Sequence, residues 1–432
     1  MPKLPKVLRR AGWGVADQVV SSGTNAALSI LVARSVDSSG FGAFSVAFIV
    51  FTLFVGFSRA LNTSPLAIRF ASATDADFRR AAAAASGAAF CLGLVGALVC
   101  AVAGLLAGGA AGAALLALSL PLPALLVQDS WRYTFFANSR PARAALNDTV
   151  WAVGQLATVW LLLMQGVNAV GPFILAWGGA AAVAALVGIY QAGVVPRPGA
   201  ALGWLREQFA LTRYLVAEYG ALQAFSQSTM LIISAVASVA VVGSLRGAQV
   251  LLGPAALLAI SLNTFALPEF ARRRAATSPR QWIRRALLLS AVVTGLGGLW
   301  GLAFLLLPDA AGRALLGDTW TGARSVLVAA IVGQAANAVT LGPGVALYAM
   351  ERVSITVRIN AVQAPLVVLF GVGGVLLAGA QGAAWGMAAA FWVLVPVWWL
   401  AMRREAALDA GRLREQEQDS PPVTDVQAAP PG

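Results

Sequence analysis

Twelve runs of about twenty mostly apolar residues constrain this chain more than any other feature. A helix needs roughly 20 such residues to cross the hydrocarbon core of a bilayer. The runs fall at residues 13–33, 41–62, 82–107, 112–136, 148–165, 170–192, 216–242, 250–269, 286–307, 325–349, 359–378 and 384–402. Their period is helical and no alternating strands appear, which argues against an outer-membrane barrel. A soluble fold is also in conflict with the composition: 11% of the residues are charged, against roughly 25% in soluble domains. Tight joints at Gly108 to Ala111, Gln165 to Ala169 and Gly379 to Ala383 make neighbouring spans antiparallel. The expected fold class is an all-α polytopic membrane protein with 12 transmembrane helices.

Basic residues orient the bundle. With the N-terminus inside, 26 of the 30 Lys and Arg residues fall in cytoplasmic segments, leaving Arg34, Arg246, Arg313 and Arg324 outside. A bacterial cytoplasmic membrane, crossed many times with both termini cytoplasmic, is the expected location. The net charge of +12 is then a topology signal: membrane lipid is an expected partner and nucleic acid is not. The first helix follows the basic stretch Lys3 to Arg10, carries Asp17 and Asn25, and lacks a small-residue cleavage site. It reads as a retained span rather than a signal peptide.

No histidine is present, which removes the usual general base and the commonest metal ligand. No phosphate-binding glycine loop and no catalytic constellation stand out. The longest outer loop, Pro308 to Arg324, offers only Asp309 and Asp318 as acids, so the chain does not read as an enzyme or as a metal protein. Cys91 and Cys100 lie nine residues apart on one helix. They point to opposite faces about 13 Å apart along the axis, cannot pair with each other, and read as packing residues.

The chain divides in two. Residues 1–195 form an N-terminal six-helix lobe and 216–402 a C-terminal one. Residues 196–215 read as a cytoplasmic linker with an interfacial amphipathic helix, and 403–432 as a disordered cytoplasmic tail. The halves echo each other at an offset of 201: Asp17 with Glu218, Gly42 with Gly243, and Leu61-Asn62-Thr63 with Leu262-Asn263-Thr264. Six spans per repeat is an even number, so the lobes are parallel, related by an axis along the membrane normal. A substrate route then belongs at their interface.

An ionisable group at the bilayer centre costs roughly 2.5–3.5 kcal/mol on insertion scales, so such groups tend to face water, a partner or a substrate. Asp17, Ser21, Asn25 and Ser29 make one polar stripe on the first helix. Glu218, Gln223 and Gln227 recur on the seventh, and Gln334 and Asn337 on the tenth, where Gly342-Pro343-Gly344 is expected to bend or break the helix. Asp17, Asn25, Glu218, Gln223, Gln227, Gln334 and Asn337 are therefore candidates for the substrate path. Hydrogen bonds that only join helices, each worth about 0.6 kcal/mol, are the alternative. Mid-membrane positions read as mostly acidic or amide. Arg59, Asn62, Asp129, Arg132, Asp148, Asn263 and Glu269 cluster near the cytoplasmic ends as candidates for a gate or for binding an anionic head group, with interface anchoring the alternative. Asp129 and Arg132, three apart, can pair on one helix face. Arg59 is the leading candidate, since a guanidinium donates two parallel hydrogen bonds to a phosphate.

The strings Asp17-Gln18-Val19-Val20-Ser21-Ser22-Gly23-Thr24-Asn25, Ala33-Arg34 and Gly40-Phe41-Gly42 resemble the opening of a known group of proteins. This is the polysaccharide-exporting, Wzx-like branch (O-antigen and teichoic acid export) of the multidrug/oligosaccharidyl-lipid/polysaccharide (MOP) flippase superfamily. Phe57-Ser58-Arg59-Ala60-Leu61, Gln128-Asp129-Ser130-Trp131-Arg132-Tyr133 and Leu146-Asn147-Asp148-Thr149-Val150-Trp151 are similar to segments of actinobacterial members. The resemblance implies two six-helix lobes around a V-shaped cavity, a MATE/MOP-like fold. It implies alternating access that carries a polyprenyl-pyrophosphate-linked glycan to the outer leaflet, with cell-envelope glycan assembly proteins as partners. It implies no cofactor beyond a coupling ion, proton or sodium, at an acidic first-helix position such as Asp17. A cation-coupled small-molecule exporter of the same fold is the second reading.

Overall fold

A computed structural model of the protein describes residues 4–70, 73–220, 225–272 and 277–419. Among them there is no strand. The first lobe holds α1 (Leu4–Ser35), α2 (Ser38–Ser58), a five-residue π turn (Arg59–Thr63), α3 (Ser64–Phe70), α4 (Asp75–Ala107), α5 (Gly109–Ser119), α6 (Leu122–Ala137), α7 (Pro141–Met164) and α8 (Val170–Ala192). A 3-10 turn (Pro198–Ala200) leads into α9 (Ala201–Tyr219). The second lobe continues with α10 (Phe225–Val236), α11 (Val239–Arg272), α12 (Pro279–Leu305), the short α13 (Asp309–Leu316), α14 (Thr319–Ala349) and α15 (Val353–Asp419).

Capping fixes several of these starts. Asp37 accepts the Gly40 N–H at 2.7 Å to begin α2, and Ser278 and Gln281 form a reciprocal capping box on α12. Seven helices among the described residues are long and apolar enough to cross a membrane. The α5–α6 pair, bent by 58°, makes another crossing. Helix α15 counts once there but reverses at Ala378 and Gly379, whose backbone is non-helical. Its two arms pack so closely that a Cβ on Gly374 or Gly382 would collide with the backbone of the other. Helices α1 and α7, and α9 with α10, complete the 12-helix layout. Their hydropathy is lowered by polar residues, several of which face inward: Asn147, Asp148 and Gln155 of α7 are buried. Long apolar side chains instead face outward, as Leu106 and Leu377 do, where lipid is the solvent.

The two lobes meet through their repeat. Helix α2 begins at Ser38 and α11 at Val239, the same offset that relates Gly42 to Gly243. A Cβ at Gly42 would strike the Val239 carbonyl, and one at Gly243 would lie 2.6 Å from the Ser38 carbonyl. Each glycine thus faces the first residue of the other helix, the reciprocal pattern of a two-fold contact. Around this crossing, one apolar core joins α1, α2, α5, α6 and α8 to α11 and α14. At the opposite end the lobes keep separate cores, around Trp282 and Trp398 in one and around Trp204 and Trp131 in the other. The interior is therefore closed where α2 and α11 begin and divided where α2 ends.

Three expectations about the helices need correction. The seventh and eighth spans do not meet between 242 and 250; the joint is Ala237-Ser238, and α11 runs unbroken from Val239. Arg246 consequently lies inside a membrane helix and not in an outer loop. Gly342-Pro343-Gly344 does not break α14, which continues to Ala349. Pro343 deprives the Val339 carbonyl of its helical donor, and the Ser290 hydroxyl of α12 replaces it at 2.8 Å while accepting the Gly342 N–H at 3.0 Å. Finally, the described residues after Met402 remain helical to Asp419, with Glu405 paired to Arg352 at 3.0 Å.

Candidate functional site

The π turn shapes the site first. Its extra residue lets the Ser64 N–H reach back to the Arg59 carbonyl, and turns of this kind are frequent at functional positions. Arg59 projects from it toward α6. The guanidinium forks onto Asp129, Nε to Oδ2 at 3.0 Å and Nη2 to Oδ1 at 2.6 Å, and lies 4.5 Å from the centre of the Tyr133 ring. One turn along α6, Arg132 Nε sits 3.1 Å from Asp148 Oδ2 on α7. Gln128 Nε2 donates to Asp148 Oδ1 at 2.8 Å. Asn147 Nδ2 donates to the Ala184 carbonyl of α8 at 2.8 Å. A polar chain thus runs from α2 through α6 and α7 to α8. Asp129 and Arg132 do not close an intrahelical pair as their spacing suggested; each finds its counter-charge on another helix.

Helix α9 closes one side. The Tyr219 hydroxyl donates to the carbonyls of Thr52 and Leu53, 3.3 Å from each. Its ring fills a notch at Gly56, where any Cβ would collide with it, and meets Phe57 edge to face at 5.0 Å. Trp204 Nε1 donates to the Leu61 carbonyl in the π turn at 3.2 Å. Two aromatic donors therefore hold α9 against the backbone around Arg59.

These elements enclose a vestibule of about 670 Å³. Asn25, Arg59, Asp129, Arg132, Glu218 and Gln227 all line it, with Tyr133, Tyr219 and Gln128. A second cavity of about 540 Å³ lies within the other lobe, lined by Gln334, Asn337, Gln249, Arg246 and apolar residues including Met387 and Phe391. Gln227 borders both. Arg246 stacks over the Phe48 ring of the first lobe at 4.8 Å, and its Nη1 lies 3.4 Å from Gln249 Oε1. Among the described residues it has no acidic partner.

The remaining candidates scatter. Asn62 is a buried member of the π turn; its Nδ2 reaches Ser58 Oγ at 3.3 Å, and its Oδ1 has no hydrogen-bond partner among the described residues. Asp148 stands behind Arg132, outside the vestibule lining. Glu269 is half-buried on the last turns of α11, away from both cavities. Gln223 lies outside the described residues, as do the side chains of Asp17 and Asn263. Acids and amides outnumber basic residues in the two linings by eight to three, but Arg59, Arg132 and Arg246 border the interior as well. Arg246 is the residue that sequence reasoning missed, because it was assigned to a loop.

The all-helical, two-lobe fold matches the folds of solved transporters. Among solved structures, this chain is similar to a multidrug resistance MATE family transporter of the MOP superfamily in its inward-facing conformation. The TM-score is 0.68 at 14% identity, over 94% of this chain and 96% of that one. It is similar to the lipid II flippase MurJ in an inward closed conformation, with a TM-score of 0.65 at 12% identity, over 95% and 93% of the two chains. It is also similar to a MOP superfamily transporter from Pyrococcus furiosus, with a TM-score of 0.56 at 14% identity, over 94% and 96%. No family model and no curated protein sequence matches the chain.

Proposed function

We propose that this protein is a flippase. It moves a polyprenyl-pyrophosphate-linked oligosaccharide or polysaccharide precursor across the bacterial cytoplasmic membrane by alternating access of its lobes. The observation that carries this reading is Arg246, a guanidinium held inside a membrane helix at a cavity wall with no acidic partner among the described residues. A charge held within a membrane helix is costly unless it faces water or a partner, and an anionic substrate in the cavity supplies the partner. Arg59 and Arg132 support it from the vestibule. Their aspartates keep them neutralised until a pyrophosphate competes for the same fork geometry. The lipid II flippase among the similar folds is consistent with a lipid-linked glycan. The Lys and Arg distribution supports cytoplasmic termini, so the vestibule opens toward the leaflet where such precursors are made. The polysaccharide-exporting branch, with envelope glycan assembly proteins as partners, follows from the sequence resemblance.

The test is the polyprenyl-linked glycan pool of a deletion strain, by lipid extraction, mass spectrometry and leaflet-specific labelling. Accumulation on the inner leaflet, reversed by the intact gene, is the expected result; an unchanged pool overturns the reading. Arg246→Ala should lower flipping about tenfold to a hundredfold, since hydrogen bonds to charged groups are worth about 1.5–3 kcal/mol. Arg246→Lys keeps the charge without the fork and should fall between.

One observation favours a second reading, a cation-coupled small-molecule exporter. Glu218 lines the vestibule as an acid accessible to its interior. Under that reading Glu218→Gln abolishes ion-driven export of cationic dyes while the glycan pool stays normal.

A further inference from the structure

A third cavity lies away from both lobes' interior, at the root of the connection between them. It measures about 230 Å³, below the roughly 300–1,000 Å³ of pockets for drug-sized ligands and of a size for a head group. Three arginines from three segments converge on it: Arg79 in the second turn of α4, Arg140 in the α6–α7 joint, and Arg143 at the start of α7. Asp75 is the one acidic residue in the lining. Two positive charges are therefore left uncompensated. Beneath the polar rim lies an apolar floor that includes Phe78, Phe135 and Val194.

The arginines differ in what already occupies them. The Arg143 guanidinium donates to the Gln191 carbonyl at the end of α8. Arg79 packs over Gly193, the left-handed residue that terminates α8; a Cβ there would lie 2.7 Å from its Nη2. These two also satisfy the negative end of the helix. The Arg140 guanidinium has no hydrogen-bond or ion-pair partner among the described residues, while its backbone is held in place by a 2.8 Å bond from its N–H to the Phe135 carbonyl. The chain leaving the pocket is pinned as well: the Arg197 N–H donates to the Ala83 carbonyl of α4 at 2.8 Å, and Gly87 leaves no room for a Cβ beneath Arg197.

We propose that this cleft binds the phosphate of an anionic phospholipid head group, with Arg140 as the primary contact and Arg79 and Arg143 completing the fork. The acyl end rests toward the apolar floor. Basic pockets between membrane helices at the cytoplasmic side suit such head groups. Because Val194 and the α8 end form part of the wall, the bound phosphate ties the first residues of the inter-lobe connection to α4 and α7. Lipid occupancy would then hold the connection on the first lobe while the second moves. The site is independent of what the central cavity carries.

The test uses the purified full chain in detergent, with native mass spectrometry and thermal unfolding in phosphatidylglycerol, phosphatidylethanolamine or inorganic phosphate. Phosphatidylglycerol should bind in preference to phosphatidylethanolamine and raise the unfolding temperature, the effect weakening with salt. Arg140→Gln should weaken lipid binding about fivefold, the effect of one arginine at an anionic surface. Because the Arg140 guanidinium supports no other group, this variant should unfold at the wild-type temperature without lipid. Arg80→Gln is the control: Arg80 neighbours Arg79 in the chain but pairs with Asp77 outside the cleft, so its lipid binding should be unchanged. Equal binding of the two lipids, or an unaltered Arg140→Gln, overturns the proposal. Inorganic phosphate binding as tightly as lipid overturns the assignment to a head group and leaves a soluble phosphate as the ligand.

Discussion

At the scale of single residues, the notch at Gly56 is the sharpest dependency. Tyr219 occupies the space a side chain would take and holds α9 through two carbonyls. Gly56→Val should therefore destabilise the protein by about 1–3 kcal/mol, the usual cost of overpacking. The double variant with Tyr219→Ala should recover most of that loss, since the clash is with the ring itself. Thermal unfolding of the two singles and the double measures the coupling. The same scale shows why site residues were only partly legible. Arg59 stood out in the sequence because a guanidinium at a helix end can donate two parallel hydrogen bonds to a phosphate. Its partner did not. Asp129 and Arg132 have the spacing of an intrahelical pair, yet Asp129 is within reach of Arg59 and Arg132 of Asp148. Spacing along a helix gives a pair only a few tenths of a kcal/mol, so tertiary neighbours decide.

At the scale of elements, α14 carries a proline without breaking because another helix repairs it. Ser290→Ala should cost about 1–3 kcal/mol, leaving the part-buried Val339 carbonyl without its donor. In a Pro343→Ala background the helix regains its own N–H, and the same change should be close to neutral. Denaturation of the four variants checks this, and equal costs in both backgrounds would refute the repair. Most helices were legible because apolar length is a strong signal. The start of α11 was not, because Arg246 and Gln249 look like loop residues when they in fact point into a cavity. The repeat held the answer: Ser38 begins α2, and the offset that joins Gly42 to Gly243 leads from Ser38 to Val239. Applied to helix starts rather than to matching residues, that offset would have put Arg246 inside the membrane.

At the scale of the whole molecule, the contact between Gly42 and Gly243 sets how closely the lobes approach. Gly42→Val should wedge them apart at that end. With Cys91→Ser and Cys100→Ala as background, a Ser45→Cys variant should react slowly with an impermeant maleimide, because Ser45 is fully buried one turn from Gly42. Adding Gly42→Val should speed that reaction severalfold and lower transport. Unchanged labelling would show that the crossing does not limit access. The two-lobe division and a polar route between the lobes were legible from the repeat and its polar stripes, whereas the division of that route into a vestibule and a neighbouring cavity was not, since enclosed volume depends on how helices tilt.

The crossing is placed to serve as a fulcrum if the lobes rock. Helix α11 spans 34 residues, a lever arm of about 50 Å, so a tilt of 10° about its first residue would sweep its far end through roughly 9 Å. Displacements too small to disturb the shared core around the pivot would thereby be amplified into a gap of that width at the far end. Glycine at the pivot matters for mechanical gain: the nearer two rods touch, the less of any rotation is lost as sliding.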